Sequence, residues 1–366
     1  MSPLMSKDSL VSSVAAPELG ATDDLLPTHQ FASGAISPQQ RSPWWQWPVL
    51  VVLLVCGIAL AMALVYHQRL SDWWRLRGYQ PPPIVAQLAA QDTMNSYTRH
   101  LFYLNKPQLL STVASFRQHC PENEDTIVLG CYHSGQNGIF IYNVQDPTLA
   151  GVQQVTAAHE VLHAVYARLS PRDRDNLDVL LENYYKHDLH DSRVEAEIKL
   201  YQATEPHDVM DEMDSTFGTE IANLPTALNT YYKRIFTNRQ AIVAYEQQYQ
   251  GEFTSRMTTI NADDRQLSAI KQTINNKQSS LESELSQLNS ERAHLNSLLA
   301  SGQTNSYNAG VTDYNNEVDT YNQGVTSLQA EIAAYNQQVI ARNQIAGQLT
   351  TLDDALDTRL TTQNTR

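Results

Sequence analysis

A heptad repeat near the end of this 366-residue chain constrains its fold more than any other feature. Apolar residues recur there at alternating spacings of three and four, at Val311, Tyr314, Val318, Tyr321, Val325, Leu328, Ile332, Tyr335 and Val339. Similarly spaced leucines precede a Ser- and Gly-rich stretch at 301–310. The spacing predicts a long antiparallel coiled-coil hairpin over residues 238–366, with arms of about 90 and 70 Å. Self-association through the same positions is the alternative.

A charge-free apolar run at residues 48–66 is the second constraint. Its length corresponds to about 28 Å of helix, which is close to the thickness of the hydrocarbon core of a bilayer. Tryptophans, which favour membrane interfaces, flank the run at positions 44, 45, 47, 73 and 74. We therefore predict one transmembrane helix, with its flanks at 44–78, and the lipid bilayer as a partner. A cleaved signal peptide fits less well, because the run begins far from the N-terminus.

Two signals conflict over the side of the membrane on which the rest of the chain lies. Three arginines closely follow the apolar run and one precedes it, which favours a cytoplasmic location for the C-terminal part. Cys120 and Cys131 could instead close a disulfide, which would indicate an oxidising compartment. Two free thiols remain the alternative. The expectation is a single-pass membrane protein whose C-terminal part is extracytoplasmic.

The sequence His159-Glu160-Val161-Leu162-His163 carries the clearest chemistry. It lies in an apolar run, residues 155–169, that reads as a buried helix. Residues four apart share a helix face, so the two imidazoles can bind one Zn²⁺. Glu160 lies beside the first histidine, where its carboxylate can take a proton from a water molecule. The spacing predicts a zinc site and a general base.

This stretch resembles the active-site helix of zincin metallopeptidases, which hydrolyse peptide bonds. The likeness covers about residues 139–220. No metzincin extension follows His163, so the likeness is to gluzincins. It implies a third ligand from a glutamate on a later helix, with candidates Glu195, Glu197, Glu212 and Glu220. We favour Glu212, because it begins a helical stretch rich in small residues that can pack closely on a neighbour. A transition-state donor is also implied, from among Tyr184, Tyr185, Tyr201 and His207.

Two strands are predicted before the motif, at residues 126–132 and 139–144. A turn-forming cluster separates them, so the pair reads as a hairpin, with His133 a turn residue in preference to a ligand. The resemblance implies that an edge strand before the motif helix binds extended substrate. Residues 139–144 occupy that place in the sequence, although a purely structural strand is equally compatible. Residues 97–119 are predicted to form short helices.

Charge distribution narrows the range of partners. The net charge is −14, and residues 171–224 carry 14 acidic against 5 basic side chains. Nucleic acid is therefore not expected as a partner, since phosphate binding needs clustered Lys and Arg. Residues 1–43, rich in Ser, Pro and Gly, are predicted to be a disordered tail, and residues 79–93 a linker.

The sequence thus predicts an α+β fold, mainly α, with a zincin-like domain at residues 79–237 that holds a small β-hairpin. The expected function is that of a membrane-anchored zinc peptidase, with Zn²⁺ held by His159, His163 and Glu212, Glu160 as the base, and a peptide or protein as substrate. The alternative is a catalytically inactive, membrane-tethered coiled-coil scaffold that binds a protein partner.

Overall fold

The computed structural model describes residues 46–121, 127–134 and 138–359, without the side chains of residues 46 and 63–67. The predicted disordered tail at 1–43 lies outside this part of the chain. The described part of the chain divides into two units, with the boundary between residues 67 and 68. The described elements are α1 (Gln46–Leu76), α2 (Pro83–Gln91), α3 (Ser96–Leu104), β1 (Gln108–Leu110), α4 (Val113–His119), β2 (Gly130–His133), β3 (Gly138–Tyr142), α5 (Val152–Tyr166), α6 (Pro171–His187), α7 (Ser192–Thr204), α8 (Val209–Glu220), α9 (Thr226–Tyr232), α10 (Arg239–Ala300) and α11 (Thr304–Leu356).

Helix α1 contains the apolar run for which a membrane span was predicted. Among the residues whose side chains are described, no helix combines the length and the apolar character that crossing a membrane requires. The transmembrane helix therefore stays a prediction.

The mainly helical fold with a small sheet is confirmed. Ser170 caps the start of α6, because its hydroxyl accepts a hydrogen bond from the Asp173 amide at 3.2 Å. The linker predicted at 79–93 is wrong, since most of it forms α2. Pro83 occupies the first turn, where a proline costs no hydrogen bond, and Leu88 and Ala89 are fully buried. The three prolines before this short helix indicated a linker, and its apolar face was therefore not recognised in the sequence.

The sheet has the order β1-β3-β2. Strand β3 pairs in parallel with β1, with Gln108 opposite Phe140, and antiparallel with β2, with Cys131 opposite Phe140. The β2–β3 hairpin is confirmed. The edge-strand role given to residues 139–144 is wrong, because β3 is the central strand and both of its sides are already paired. Strand β2 instead forms an edge of the described sheet.

Helix α5 lies at the centre of the globular part. Twelve of its fifteen residues are buried, and it packs against α2, α3, α8, α10 and the two hairpin strands. The fully buried residues on α5 are Ala157, Ala158, Val161 and Leu162. A helix surrounded in this way holds its polar side chains in fixed positions.

Helices α10 and α11 form a long antiparallel helical hairpin. Leu281 packs onto Gly324 and Leu295 onto Gly310, and Lys277 pairs with Glu331 at 2.7 Å. Most predicted heptad positions on α11 are half-buried, but Ile332 is 40 % exposed, because its neighbour Glu331 turns toward α10. The left-handed supercoil stays a prediction.

A disulfide joins Cys120 at the end of α4 to Cys131 in β2. The sequence left open whether these cysteines form a disulfide or remain free thiols, and the structure shows the disulfide. It ties the edge strand to a small cluster that also contains Phe116 and Phe140. The neighbouring His133 approaches the His119 carbonyl oxygen. Its prediction as a turn residue is wrong, because it pairs with Gly138 as the last residue of β2.

Candidate functional site

Helix α5 presents His159, Glu160 and His163 to one cavity. The two imidazole rings lie one turn apart, with their centroids separated by 4.9 Å and their planes inclined at 73°. Glu160 and His163 are only 4 % and 8 % exposed. Both rings therefore lie on one face of the helix, as the spacing of the motif predicts.

Helix α8 brings Glu212 to the same point. Its Oε2 lies 3.4 Å from His159 Nε2, and its Oε1 lies 3.6 Å from His163 Nε2. One ligand atom from each of the three residues lies within 4.8 Å of the others. The close approach of the helices depends on Gly218, where a Cβ would lie 2.5 Å from Leu162 on α5.

Two further side chains orient these three. His163 Nδ1 lies 2.9 Å from Asp211 Oδ1. Because a carboxylate only accepts, Nδ1 donates the hydrogen bond, and Nε2 faces Glu212. The Tyr201 hydroxyl donates to Glu212 from α7. Such supporting hydrogen bonds are typical of residues that hold a metal ion.

The electrostatics of the site favour a cation. Burial alone would lower the pKa of His163, but the carboxylates of Glu212 and Asp211 outweigh it and raise that pKa well above its ordinary value. Burial likewise would raise the pKa of Glu212, and the two imidazoles lower it. Positive charge is therefore needed among these buried groups, and protons or a divalent cation can supply it.

The donor set fits Zn²⁺. Two imidazole nitrogens and one carboxylate oxygen are the ligands found in open zinc sites. Among the described residues, Glu212 Oε2 is buried and makes no well-aligned hydrogen bond, although His159 Nε2 is 3.4 Å away. Coordination to a metal ion would satisfy a buried acceptor of this kind.

Glu160 lies directly under strand β2. A Cβ at Gly130 would collide with the Glu160 carboxylate and would lie 2.6 Å from the Thr156 methyl group. Only glycine allows the strand to pass so close to this carboxylate. The edge strand and the proposed base therefore lie side by side.

The cavity around these residues has a volume of about 870 Å³. Strand β2 and the residues just before it form one side, and parts of α5, α6, α7, α8 and α10 form the rest. A cavity of this size accommodates a short peptide segment next to the histidines.

The other candidate ligands do not join the group formed by His159, His163 and Glu212. Glu195 faces outward and pairs with Lys199 at 2.5 Å. Glu220 pairs with Arg193 at 2.6 Å. Glu197 lines the cavity, where burial and the charge of Glu220 raise its pKa to about 8 despite Arg193.

Two of the four predicted transition-state donors reach the cavity. Tyr201 and His207 line it. Tyr184 is buried against Phe217, with ring centroids 5.1 Å apart, and Tyr185 packs against the core. Asp211 and Gly130 were missed by the sequence reasoning. Asp211 could have been found, because an acidic residue directly precedes the favoured ligand.

Comparisons with known proteins give no relative: the chain matches no protein-family model, no curated protein and no solved structure.

Proposed function

We propose that this protein is a zinc-dependent peptidase with a gluzincin-like site. The proposal rests on the convergence of His159, His163 and Glu212 within 4.8 Å, with Glu160 buried on the same helix turn. His159, His163 and Glu212 would hold the zinc ion. When bound, zinc supplies Lewis acidity that polarises a peptide carbonyl and makes a water molecule easier to deprotonate.

Glu160 is the proposed general base. Its carboxylate takes a proton from the attacking water and passes it to the amine that leaves. Tyr201 and His207 are the donors available to the developing oxyanion. Since Tyr201 already donates to Glu212, His207 is the donor free of a role in holding a proposed ligand.

Strand β2 is the proposed substrate-binding edge. Its outer backbone groups can pair with an extended peptide by strand addition. Because Gly130 lies over Glu160, a peptide paired with β2 would run past the proposed base. Gly130–His133 is thus the proposed substrate-binding strand, in place of residues 139–144.

Changing Glu160 to Gln tests the mechanism. Glutamine keeps the size of the side chain but cannot accept the proton, so peptide hydrolysis by the zinc-loaded full chain is expected to fall by about 10²- to 10⁴-fold. Glu195→Gln, on the exposed face of α7, is the matched control and should retain wild-type activity. Both proteins should purify with zinc. Full activity of the Glu160→Gln protein would rule out the proposed mechanism.

The long hairpin favours a second candidate function, that of an inactive scaffold. Its arm offers two extended helical surfaces on which a protein partner could bind. The two functions differ in their dependence on metal: a scaffold would bind its partner equally well in a chelator, whereas the peptidase would lose its activity there and also after His159→Ala.

We also propose that the folded part lies in an oxidising, extracytoplasmic compartment and is anchored by the apolar run at 48–66. The Cys120–Cys131 disulfide supports the location. Protease protection of membrane vesicles tests it. Digestion of the C-terminal part in sealed inside-out vesicles would place it in the cytoplasm and overturn the proposal.

A further inference from the structure

Helix α7 presents one continuous stripe of side chains to the cavity. Arg193, Glu197 and Tyr201 recur every four residues and all line the cavity, as residues on one helix face do. Tyr201 anchors this stripe to the site by donating to Glu212. Glu197 therefore lies one helical turn from the residue that contacts a proposed zinc ligand.

Arg193 pairs mainly with two carboxylates other than that of Glu197. Its NH1 group donates to Glu220 at 2.6 Å and its NH2 group to Glu246 at 2.9 Å, and both carboxylates are buried. Glu197 lies farther from the guanidinium, at 3.6 Å, outside normal hydrogen-bond distance. One arginine thus faces three carboxylates, and Glu197 is the one least satisfied by it.

Further acidic side chains line the described part of the cavity. Asp178, Glu205 and Asp208 also line it. Among the described lining residues, the basic side chains besides the histidines are Arg193 and Arg174. Arg174 stacks over the Tyr166 ring at 4.9 Å and donates to its backbone oxygen. A cavity lined in this way attracts cations and disfavours anions.

We infer that Glu197 determines specificity by binding a positively charged group of the substrate within the cavity. The group is an ammonium or guanidinium, carried either by a lysine or arginine side chain or by the N-terminal amine of the peptide. This inference rests on the proposed peptidase function for its setting, and it names the substrate class. The carboxylate approaches the cation from the α7 side, while the zinc ligands and Glu160 lie on α5 and α8.

Binding measured without zinc tests this inference separately from catalysis. The full chain in chelator is titrated with acetylated fluorescent peptides that differ only in one lysine or glutamine, placed at successive positions. The lysine peptide is expected to bind at least tenfold more tightly at its best position, because only the lysine peptide offers a charge-assisted hydrogen bond to Glu197. Glu197→Gln should remove this preference, and Glu195→Gln should keep it. A preference unchanged by Glu197→Gln would overturn the inference.

Further measurements cover the other possible results. Removing the acetyl group identifies the source of the cation, because only an N-terminal amine restores tight binding to the glutamine peptide. Glu197→Lys should reverse the preference toward glutamate peptides. In the wild-type chain the lysine preference should weaken as salt rises, and a preference absent at low salt would refute the inference without any variant.

Hydrolysis by the zinc-loaded chain separates this inference from the proposed function. Loss of kcat/KM for lysine peptides alone in Glu197→Gln supports both. Equal hydrolysis of lysine and glutamine peptides overturns the inference and leaves the peptidase intact. Lysine-selective binding through Glu197 with no hydrolysis leaves the inference intact and removes the peptidase.

Discussion

Asp211 orients His163, one of the proposed zinc ligands. Its carboxylate accepts from Nδ1 at 2.9 Å and keeps Nε2 directed at Glu212. In Asp211→Ala this constraint is lost, and zinc affinity is expected to fall by about 10- to 100-fold, as for other residues that orient metal-bound histidines. Competition with a chromophoric chelator measures the change.

The control for this prediction is Asp208→Ala. Asp208 also lines the cavity but belongs to the turn before α8, so zinc affinity should change by less than about threefold. Equal losses in the two variants would mean that general negative charge, and not the orientation of His163, governs affinity.

Asp92 is a buried carboxyl group with a stability cost. It is fully buried, and in the described part of the chain neither of its oxygens has a hydrogen-bond partner. Burial raises its pKa well above the ordinary value. A carboxyl group whose pKa is higher in the folded state favours folding below its unfolded pKa, and this contribution is lost as pH rises through the folded pKa.

We therefore expect Asp92→Asn to be more stable than the wild type at pH 7.5, by about 1–3 kcal/mol. The advantage should shrink as pH falls below about 4, because the wild-type carboxyl then becomes protonated in the unfolded state as well. Urea unfolding at several pH values measures it, with Asp175→Asn on the exposed face of α6 as control. If the gain in unfolding free energy of Asp92→Asn did not depend on pH, this account would be contradicted.

At the level of residues, the sequence could predict the part of the site that one helix contains. The spacing of His159, Glu160 and His163 determines their common face before any tertiary contact is known. The choice of Glu212 over Glu195, Glu197 and Glu220 depends on how α8 packs against α5. That contact involves helices distant in sequence, so local periodicity could favour Glu212 but could not decide.

At the level of elements, Gly218 controls the contact that positions Glu212. A Cβ there would lie 2.5 Å from Leu162 and 2.7 Å from the Tyr232 ring, both in the core. Gly218→Ala is expected to destabilise the fold by about 1–3 kcal/mol through overpacking and to weaken zinc binding, because α8 must move away from α5. Thermal unfolding and zinc titration measure the two effects.

Gly324→Ala is the matched control for that prediction. A Cβ at Gly324 would meet the end of the Leu281 side chain at 2.7 Å, but in the hairpin, far along the chain from the motif. Zinc affinity is therefore expected to be unchanged in Gly324→Ala. A loss equal to that of Gly218→Ala would show that the α5–α8 contact does not govern zinc binding.

The strand order was less accessible to sequence reasoning. Strand β1 has three residues and follows Pro107, so it carries too little periodicity to be recognised. Its parallel pairing makes β3 central and leaves β2 as the edge. Strands β2 and β3 were recognised because turn-forming residues lie between them in the sequence. A parallel neighbour such as β1 leaves no such local signal.

At the level of the whole molecule, the helical hairpin is built into the globular part at both of its ends. The first turns of α10 contribute Tyr249 and Gln250 to the cavity. After α11, the Thr358 hydroxyl donates to the Val128 carbonyl oxygen at 2.6 Å, just before the edge strand. The base of the hairpin therefore contacts both the cavity wall and the approach to β2.

Leu352 tests this coupling. It is 3 % exposed and packs with Val144, Leu149 and Val152, at the start of the motif helix. Leu352→Ala leaves a cavity there and is expected to cost about 2–4 kcal/mol locally. Hydrogen–deuterium exchange should consequently rise in residues 127–133 and 152–158, because these segments lose their packing partner.

Leu288→Ala provides the comparison within the same hairpin. Leu288 is buried to a similar degree, at 6 % exposed, but lies along the arm. Its loss should raise exchange in α10 and α11 and leave β2 and α5 protected as in the wild type. If Leu352→Ala likewise raised exchange only in α10 and α11, the hairpin would not be coupled to the globular part. Partner binding along the hairpin could then not alter the edge strand. If exchange rises in β2 and α5, the arm and the proposed catalytic helix form one mechanical unit.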